Sequence, residues 1–268
     1  MNELNPRMAA YYNENNAHAA QWLRGLIGHG HIAAGDVDER SILEVKADDL
    51  KRYDQCHFFA GIGGWSYALR LAGWPDGRSV WTGSCPCQPF SSAGDQSGSH
   101  DARHLWPAFH NLIRERRPRD IFGEQVAGPS GLAWWDHVAA DLESDDYAAA
   151  AACLPAFCVG ANHQRERLFW LASDTACVNG NAHDRLGASG ERTASQPVGR
   201  LSSMAVSGGR WSSGEGAPCL PTLVRNHHGL SGILAGFGNA IVPQVAAAFV
   251  MAAAAGPCPQ TKMQRRVC

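Results

Sequence analysis

Residues 56–60 form a dense apolar run that breaks at Gly61, Gly63 and Gly64, after which helical spacing resumes as far as Leu71. A buried strand, a glycine turn and a helix in that order open a βα unit, and such units assemble into a parallel sheet covered by helices. The alternation recurs along the chain. Short strands are expected at residues 11–14, 31–37, 79–83, 121–123, 148–159 and 168–172. Helices are expected at 16–26, at 105–116 (stopped by Pro118), at 132–142 and from Pro243 onward, with a charged helical connector at 45–53. The fold class that follows is α/β with a parallel sheet.

Composition narrows the alternatives. A chain of 268 residues with 45% hydrophobic side chains can bury a sizeable core, which argues against disorder. The net charge of −2 gives no overall basic excess toward nucleic acid. One basic stripe exists at Arg103, His104, Arg114, Arg116, Arg117 and Arg119, and taken alone it is better explained as a solvated helix face. The most apolar stretch, residues 242–255, is shorter than the roughly 20 residues needed to span a bilayer. No segment reads as a secretory signal, so a reducing, cytoplasmic setting is expected, with the nine cysteines mostly buried. Cys153, Cys158 and His163 could be drawn as a metal site, but no Cys-x-x-Cys pair supports it, and core thiols with no metal are expected.

Residues 173–231 lose all periodicity and are dominated by Gly, Ser, Ala, Arg and Asn. They divide the chain into residues 1–172, a loop-rich insert at 173–231, and a C-terminal segment at 232–268 that completes the first.

Five strings carry chemistry. Phe59-Ala60-Gly61-Ile62-Gly63-Gly64 is a turn that lets a ligand approach the backbone. Ser66 stands where a dinucleotide fingerprint needs glycine, so a pyrophosphate site is disfavoured. Pro86-Cys87-Gln88-Pro89-Phe90-Ser91 holds a cysteine just after a strand end, where a thiol can act as a nucleophile. Glu124 ends another strand. Arg165-Glu166-Arg167 precedes the next one. Gly238-Asn239-Ala240 opens the last helix.

Together and in this order, these strings resemble the DNA (cytosine-5)-methyltransferase family, over most of the chain apart from the insert. The resemblance implies a Rossmann-like fold that binds S-adenosylmethionine and takes a cytosine flipped out of double-stranded DNA. It implies that Cys87 attacks C6 of the ring, that Glu124 binds and protonates N3, and that Arg165 and Arg167 hold the base carbonyl and a phosphate. Gln125 and His163 stand where the family carries Asn and Gln. On the cofactor side the matched residues are Phe59, Gly61, Ile62, Gly63, Gly64 and Pro86, with Asn239 and Ala240 closing the pocket; Ser91 and Arg103 would face DNA.

The family places two further strands between its glycine turn and its Pro-Cys-Gln loop. Only 23 residues separate Gly64 from Cys87 here, too few for two crossovers. The missing strands read upstream, as Glu14-Asn15 for the ribose and Asp36-Val37 for the adenine. A circularly shuffled strand order is therefore expected, with Glu14 and Asp36 near Gly61. An N-terminal helical appendage is the alternative. The loop after Cys87 departs from the family at Asp95 and Ser99, and the insert is short. A non-catalytic relative that binds DNA or cofactor, and an RNA cytosine-5 methyltransferase, therefore stay open beside the DNA enzyme. A monomer is expected.

Overall fold

The computed structural model describes residues 8–86, 105–176 and 240–255. Seven strands form one sheet: β1 (Met8–Asn13), β2 (Gly35–Asp38), β3 (Tyr53–Phe58), β4 (Val80–Gly83), β5 (Asp120–Val126), β6 (Tyr147–Leu154) and β7 (Arg167–Asp174). Five helices accompany them: α1 (Ala17–Gly28), α2 (Gly64–Leu71), α3 (Leu105–Arg116), α4 (Pro129–Ser144) and α5 (Pro243–Ala255).

The sheet order is β2-β1-β3-β4-β5-β7-β6. The strand that feeds the glycine turn, β3, is third in the chain yet lies inside the sheet, between β1 and β4. β1 thus lies beside β3 with β2 outside it, so residues 8–54 contribute two strands to the same sheet. β1 to β5 pair parallel, so their carboxyl ends lie along one edge. Asn13 is level with Asp38 and Phe58, Phe58 with Gly83, and Gly83 with Gly123. Ligands of open α/β sheets bind beyond that edge.

The parallel sheet expected from the βα alternation ends in an antiparallel pair. β7 runs antiparallel between β5 and β6. The link from β6 to β7 contains a single 3-10 turn, Ala156–Val159, in place of a crossover helix, so the chain simply reverses. The connector expected at 45–53 is likewise two 3-10 turns, Ile42–Glu44 and Ala47–Leu50. Buried Ile42, Val45 and Leu50 pin them to the core, leaving no length for a full helix.

β3 is buried on both sides, as a central parallel strand should be. On one face Cys56 and Phe58 join Trp81, Phe109, Ile113 and Trp170 under α3 and α4. On the other, His57 stacks on Tyr12 at 4.9 Å and shares a hydrogen bond with the Thr82 hydroxyl at 2.9 Å. The Tyr12 hydroxyl in turn donates to the Ala33 carbonyl at 2.7 Å. α5 packs on α2 within a second cluster around Trp65, Phe122 and Phe169, so this helix belongs to the core of the sheet.

The cysteines are less uniform than expected. Cys56 and Cys85 are buried, whereas Cys153 and Cys158 are exposed. Cys153 lies on the edge strand β6, which has a neighbour on one side only, and so escapes the core.

Candidate functional site

Glu14 follows β1 directly. One carboxylate oxygen accepts the Gly61 amide at 2.7 Å, and the other accepts the Asn16 amide at 2.9 Å. Asn16 itself caps α1, accepting the amides of His18 and Ala19. Glu14 is therefore fixed between the start of α1 and the glycine turn, 47 residues away. This is the proximity to Gly61 that the sequence required.

The glycine turn is built unevenly. Gly61 and Gly63 have positive φ, at 55° and 82°, and so does Phe59 at 52°. A side chain at Gly61 would meet open space, so the turn presents bare backbone there. Gly63 is packed against Leu23 and Ile32 of the layer around α1. A Cβ on Gly64 would come 2.8 Å from Ile241 Cγ1. Of the matched glycines, only Gly61 is open to a ligand, while Gly64 is small so that the segment after Ala240 can dock.

Beside Gly61, a cavity of about 120 Å³ is lined by Asn13, Glu14, Asn15, Ser41, Ile42, Phe59, Pro86 and Leu105. Ligand pockets usually hold about 300–1,000 Å³. This cavity takes one end of such a ligand, and the remainder would lie over the open turn at Gly61. Ile62 is half-buried in that turn.

Asp36 and Val37 are not brought there. Asp36 is level with Tyr11, two residues short of the sheet edge. Its carboxylate accepts the Tyr53 hydroxyl and Arg52 Nη2, both at 2.6 Å, at the amino end of β3. Val37 packs into the cluster of Leu23, Ile32 and Ala33. Both residues line a larger, open cleft of about 970 Å³ on the outer flank of β2, away from the glycine turn. Ser41 and Ile42, and not Asp36 and Val37, line the small cavity. Their signal was present as the capping box Ser41-x-x-Glu44, which turns the chain back over the edge.

Glu124 lies one residue past the level of Gly83 and is 7% exposed. Its carboxylate meets Arg167 Nε at 2.8 Å, a diagonal cross-strand pair between β5 and β7. Burial pushes the Glu124 carboxyl above its ordinary range, against the opposing pull of Arg167, Arg165 and a hydrogen bond from Ser84. A carboxyl raised in this way holds a proton more readily than a free one and can donate it. Arg165 has a φ of 29°, a strained value for a residue with a side chain. Its Nη2 donates to the Ala240 carbonyl at 2.6 Å, tying this arginine to the segment that follows the insert.

The described residues just before Cys87 are also anchored. Gln125 Nε2 donates to the Cys85 carbonyl at 3.3 Å, and Gln125 Oε1 accepts the amide of Val126. Cys85 is 3% exposed and burial pushes its thiol up, so it is no nucleophile. Pro86, next in the chain, is exposed at the cavity. Cys87, Ser91, Arg103 and Asn239 lie outside the described residues.

Among known sequences, the description "C-5 cytosine-specific DNA methylase" matches residues 78–186, which contain the Cys87 loop, Glu124 and both arginines. Over that segment the chain is similar to the DNA (cytosine-5)-methyltransferase family. The Type II methyltransferase M.AplI of Arthrospira platensis is 27% identical over 170 residues, covering 50% of this chain and 49% of its own. The Type II methyltransferase M.NgoMIV of Neisseria gonorrhoeae is 31% identical over 107 residues, covering 39% and 34%. The chain thus spans half or less of the length of these relatives. Among solved structures, a putative DNA modification methyltransferase encoded within an E. coli prophage aligns with a TM-score of 0.40 at 16% identity, over 63% of this chain and 47% of its own. The Dnmt2 methyltransferase of S. pombe aligns with a TM-score of 0.39 at 13% identity, over 61% and 50%. No described helix is long and apolar enough to cross a membrane.

Proposed function

We propose that the chain methylates C5 of a cytosine in double-stranded DNA through a covalent adduct of Cys87 with C6. The observation that carries this reading is Glu124, buried against Arg167 with its carboxyl raised, at the same sheet edge as Pro86, which precedes Cys87, and the Glu14–Gly61 pair.

C5 of cytosine is a weak nucleophile. A new S–C6 bond from a Cys87 thiolate moves ring electrons toward C5, and a proton from Glu124 on N3 keeps negative charge from building on the ring. Arg167 holds that carboxyl in place, and Arg165 faces the base carbonyl or a neighbouring phosphate. C5 then gains its methyl group, loses its proton to a base, and the S–C6 bond breaks to release Cys87.

The residues around the small cavity suit S-adenosylmethionine. The bare backbone at Gly61 admits close approach, Phe59 offers an aromatic face, and Glu14 is held beside the turn with lone pairs to spare for ribose hydroxyls. When bound, S-adenosylmethionine supplies the methyl group. Ser41 and Ile42 border the far end of the cavity, where Asp36 and Val37 were expected. The strand order is read as a circular shuffle of the family's own.

The test is incubation with labelled S-adenosylmethionine and either mixed-sequence duplex DNA or RNA. Label is expected in DNA as 5-methylcytosine, and none with Cys87→Ser. Label in RNA alone, or none with folded protein, overturns the reading. Bisulfite sequencing of the product reads out the target.

A further inference from the structure

Arg165 is held at two points by groups that are distant in the chain. The carbonyl just before it, that of Gln164, accepts the Ala156 amide at 2.6 Å, which ties the backbone to the turn after β6. Its side chain donates through Nη2 to the Ala240 carbonyl, also at 2.6 Å. The φ of 29° at Arg165 is a conformation that only surrounding contacts can maintain. Arg167, two residues on, meets Glu124 at 2.8 Å, so the strained arginine leads directly into the residue that grips the candidate acid.

The Ala240 carbonyl is fixed in turn by its neighbour. Ile241 is 8% exposed and sits in the cluster that holds Trp65 and Leu69 of α2, Ala156, and Val245 of α5. It lies over Gly64, the first residue of α2, where a Cβ would come 2.8 Å from Ile241 Cγ1 and 3.8 Å from the Ile241 carbonyl oxygen. Carbon atoms pack best at about 3.5–4.0 Å, so a side chain at Gly64 would push Ile241 away. Two residues separate Ala240 from Pro243, where α5 begins, and α5 is itself packed on α2. The segment has no slack, and a shift of Ile241 passes to the Ala240 carbonyl.

We infer that Gly64 and Ile241 are positioning residues for Arg165. The missing side chain at Gly64 lets Ile241 seat on the glycine turn, the seat sets the Ala240 carbonyl, and that carbonyl aims the guanidinium. In the sheet, β4 and β5 stand between the strand that feeds the turn and the strand that follows Arg165, and residues 240–242 bridge the two. The functional consequence rests on the proposed function: the bridge then couples the turn that faces S-adenosylmethionine to the arginine that faces the base. The geometry at Arg165 does not depend on that reading.

The test is nitrogen NMR of the arginine guanidinium groups in the full chain, with Arg165→Lys assigning the Arg165 signal. In the native protein the Nη protons of Arg165 are expected to exchange slowly, with rotation about Cζ–Nε restricted. Gly64→Ala is expected to speed that exchange about tenfold, through loss of one charge-assisted hydrogen bond. Ile241→Ala removes the seated side chain instead of blocking its seat, and is expected to do the same. The double variant puts a methyl group where a carbon has left, and is expected to lose less than the two single effects combined. The signal of Arg70, on α2 and paired with Asp76 at 2.6 Å, is expected to stay unmoved. Under the proposed function, Gly64→Ala slows trapping on 5-fluorocytosine DNA about tenfold and adds nothing to Arg165→Lys. An unmoved Arg165 signal in folded Gly64→Ala, or in Ile241→Ala should Gly64→Ala not fold, overturns the inference. An Arg70 signal that moves along with it does so too, since that reports a loosened helix. An Arg165 signal released as expected, in a protein whose native form makes no methylcytosine, overturns the proposed function and leaves the inference standing.

Discussion

Glu14 and Gly61 meet through a 2.7 Å hydrogen bond that joins the end of β1 to the glycine turn after β3. Since both groups sit at the carboxyl edge of neighbouring parallel strands, the bond fixes the height of the turn relative to β1. Hydrogen bonds to charged groups contribute about 1.5–3 kcal/mol. Glu14→Ala should therefore cost about 2 kcal/mol in denaturant unfolding and weaken S-adenosylmethionine binding in calorimetry. Binding unchanged in Glu14→Ala would place the ligand elsewhere.

Arg167 neutralises a carboxylate that is otherwise buried. Removing one partner of a buried ion pair typically costs about 3–5 kcal/mol, because the other is left uncompensated. Arg167 is 23% exposed at its side chain, so Arg167→Ala should fall at the low end, about 3 kcal/mol. Adding Glu124→Gln should return much of that loss in a double-mutant cycle, while abolishing product. Additive losses in the cycle would show that the pair contributes no coupling.

Gln125 binds the Cys85 carbonyl two residues before Cys87, so it should govern the placement of Cys87 and, under the proposed function, its attack. Gln125→Ala leaves that carbonyl without its donor and is expected to cost about 1–2 kcal/mol. Trapping on DNA that contains 5-fluorocytosine should then proceed at least tenfold more slowly, with affinity for DNA little changed. Trapping at the wild-type rate would mean that the loop is placed by other contacts.

His57 sets an acid limit. Burial pulls its pKa from 6.5 down to about 3, so it is neutral in the fold and protonates readily once unfolded. Between those values the unfolded chain binds the extra proton, and stability falls as the pH falls. The loss should begin near pH 6.5 and approach about 1.4 kcal/mol per pH unit. Thermal unfolding from pH 8 to pH 4 reads it out, and His57→Gln should flatten the slope. An equal slope in both proteins would assign the acid sensitivity to other groups.

Much of the edge was legible from local pattern. Glu14 could be found because a carboxylate follows a short strand and precedes a helix cap at Asn16. Glu124 could be found because the apolar run Ile121-Phe122 leads into it. Asp36 misled for a physical reason. The reading ended β2 at Val37, whereas the strand runs to Asp38, and pairing with β1 sets Asp36 level with Tyr11. Side chains alternate faces with a period of two, and depth along a strand depends on register. Neither is encoded within four residues of sequence. The antiparallel β7 was missed because a short apolar strand carries no mark of its direction.

The residues themselves determined the βα alternation, the bare turn at Gly61, the order in which the strands must be visited, and which side chains have the chemistry to act. Those follow from local sterics, hydrophobic spacing and chain length. Only the tertiary structure decided which of them share the edge. It set Glu124 against Arg167, returned Arg165 to Ala240 across 75 residues, and turned Asp36 away. Those relations depend on strand register and on side chains packed from distant parts of the chain, and they come into being only when the sheet closes around its core.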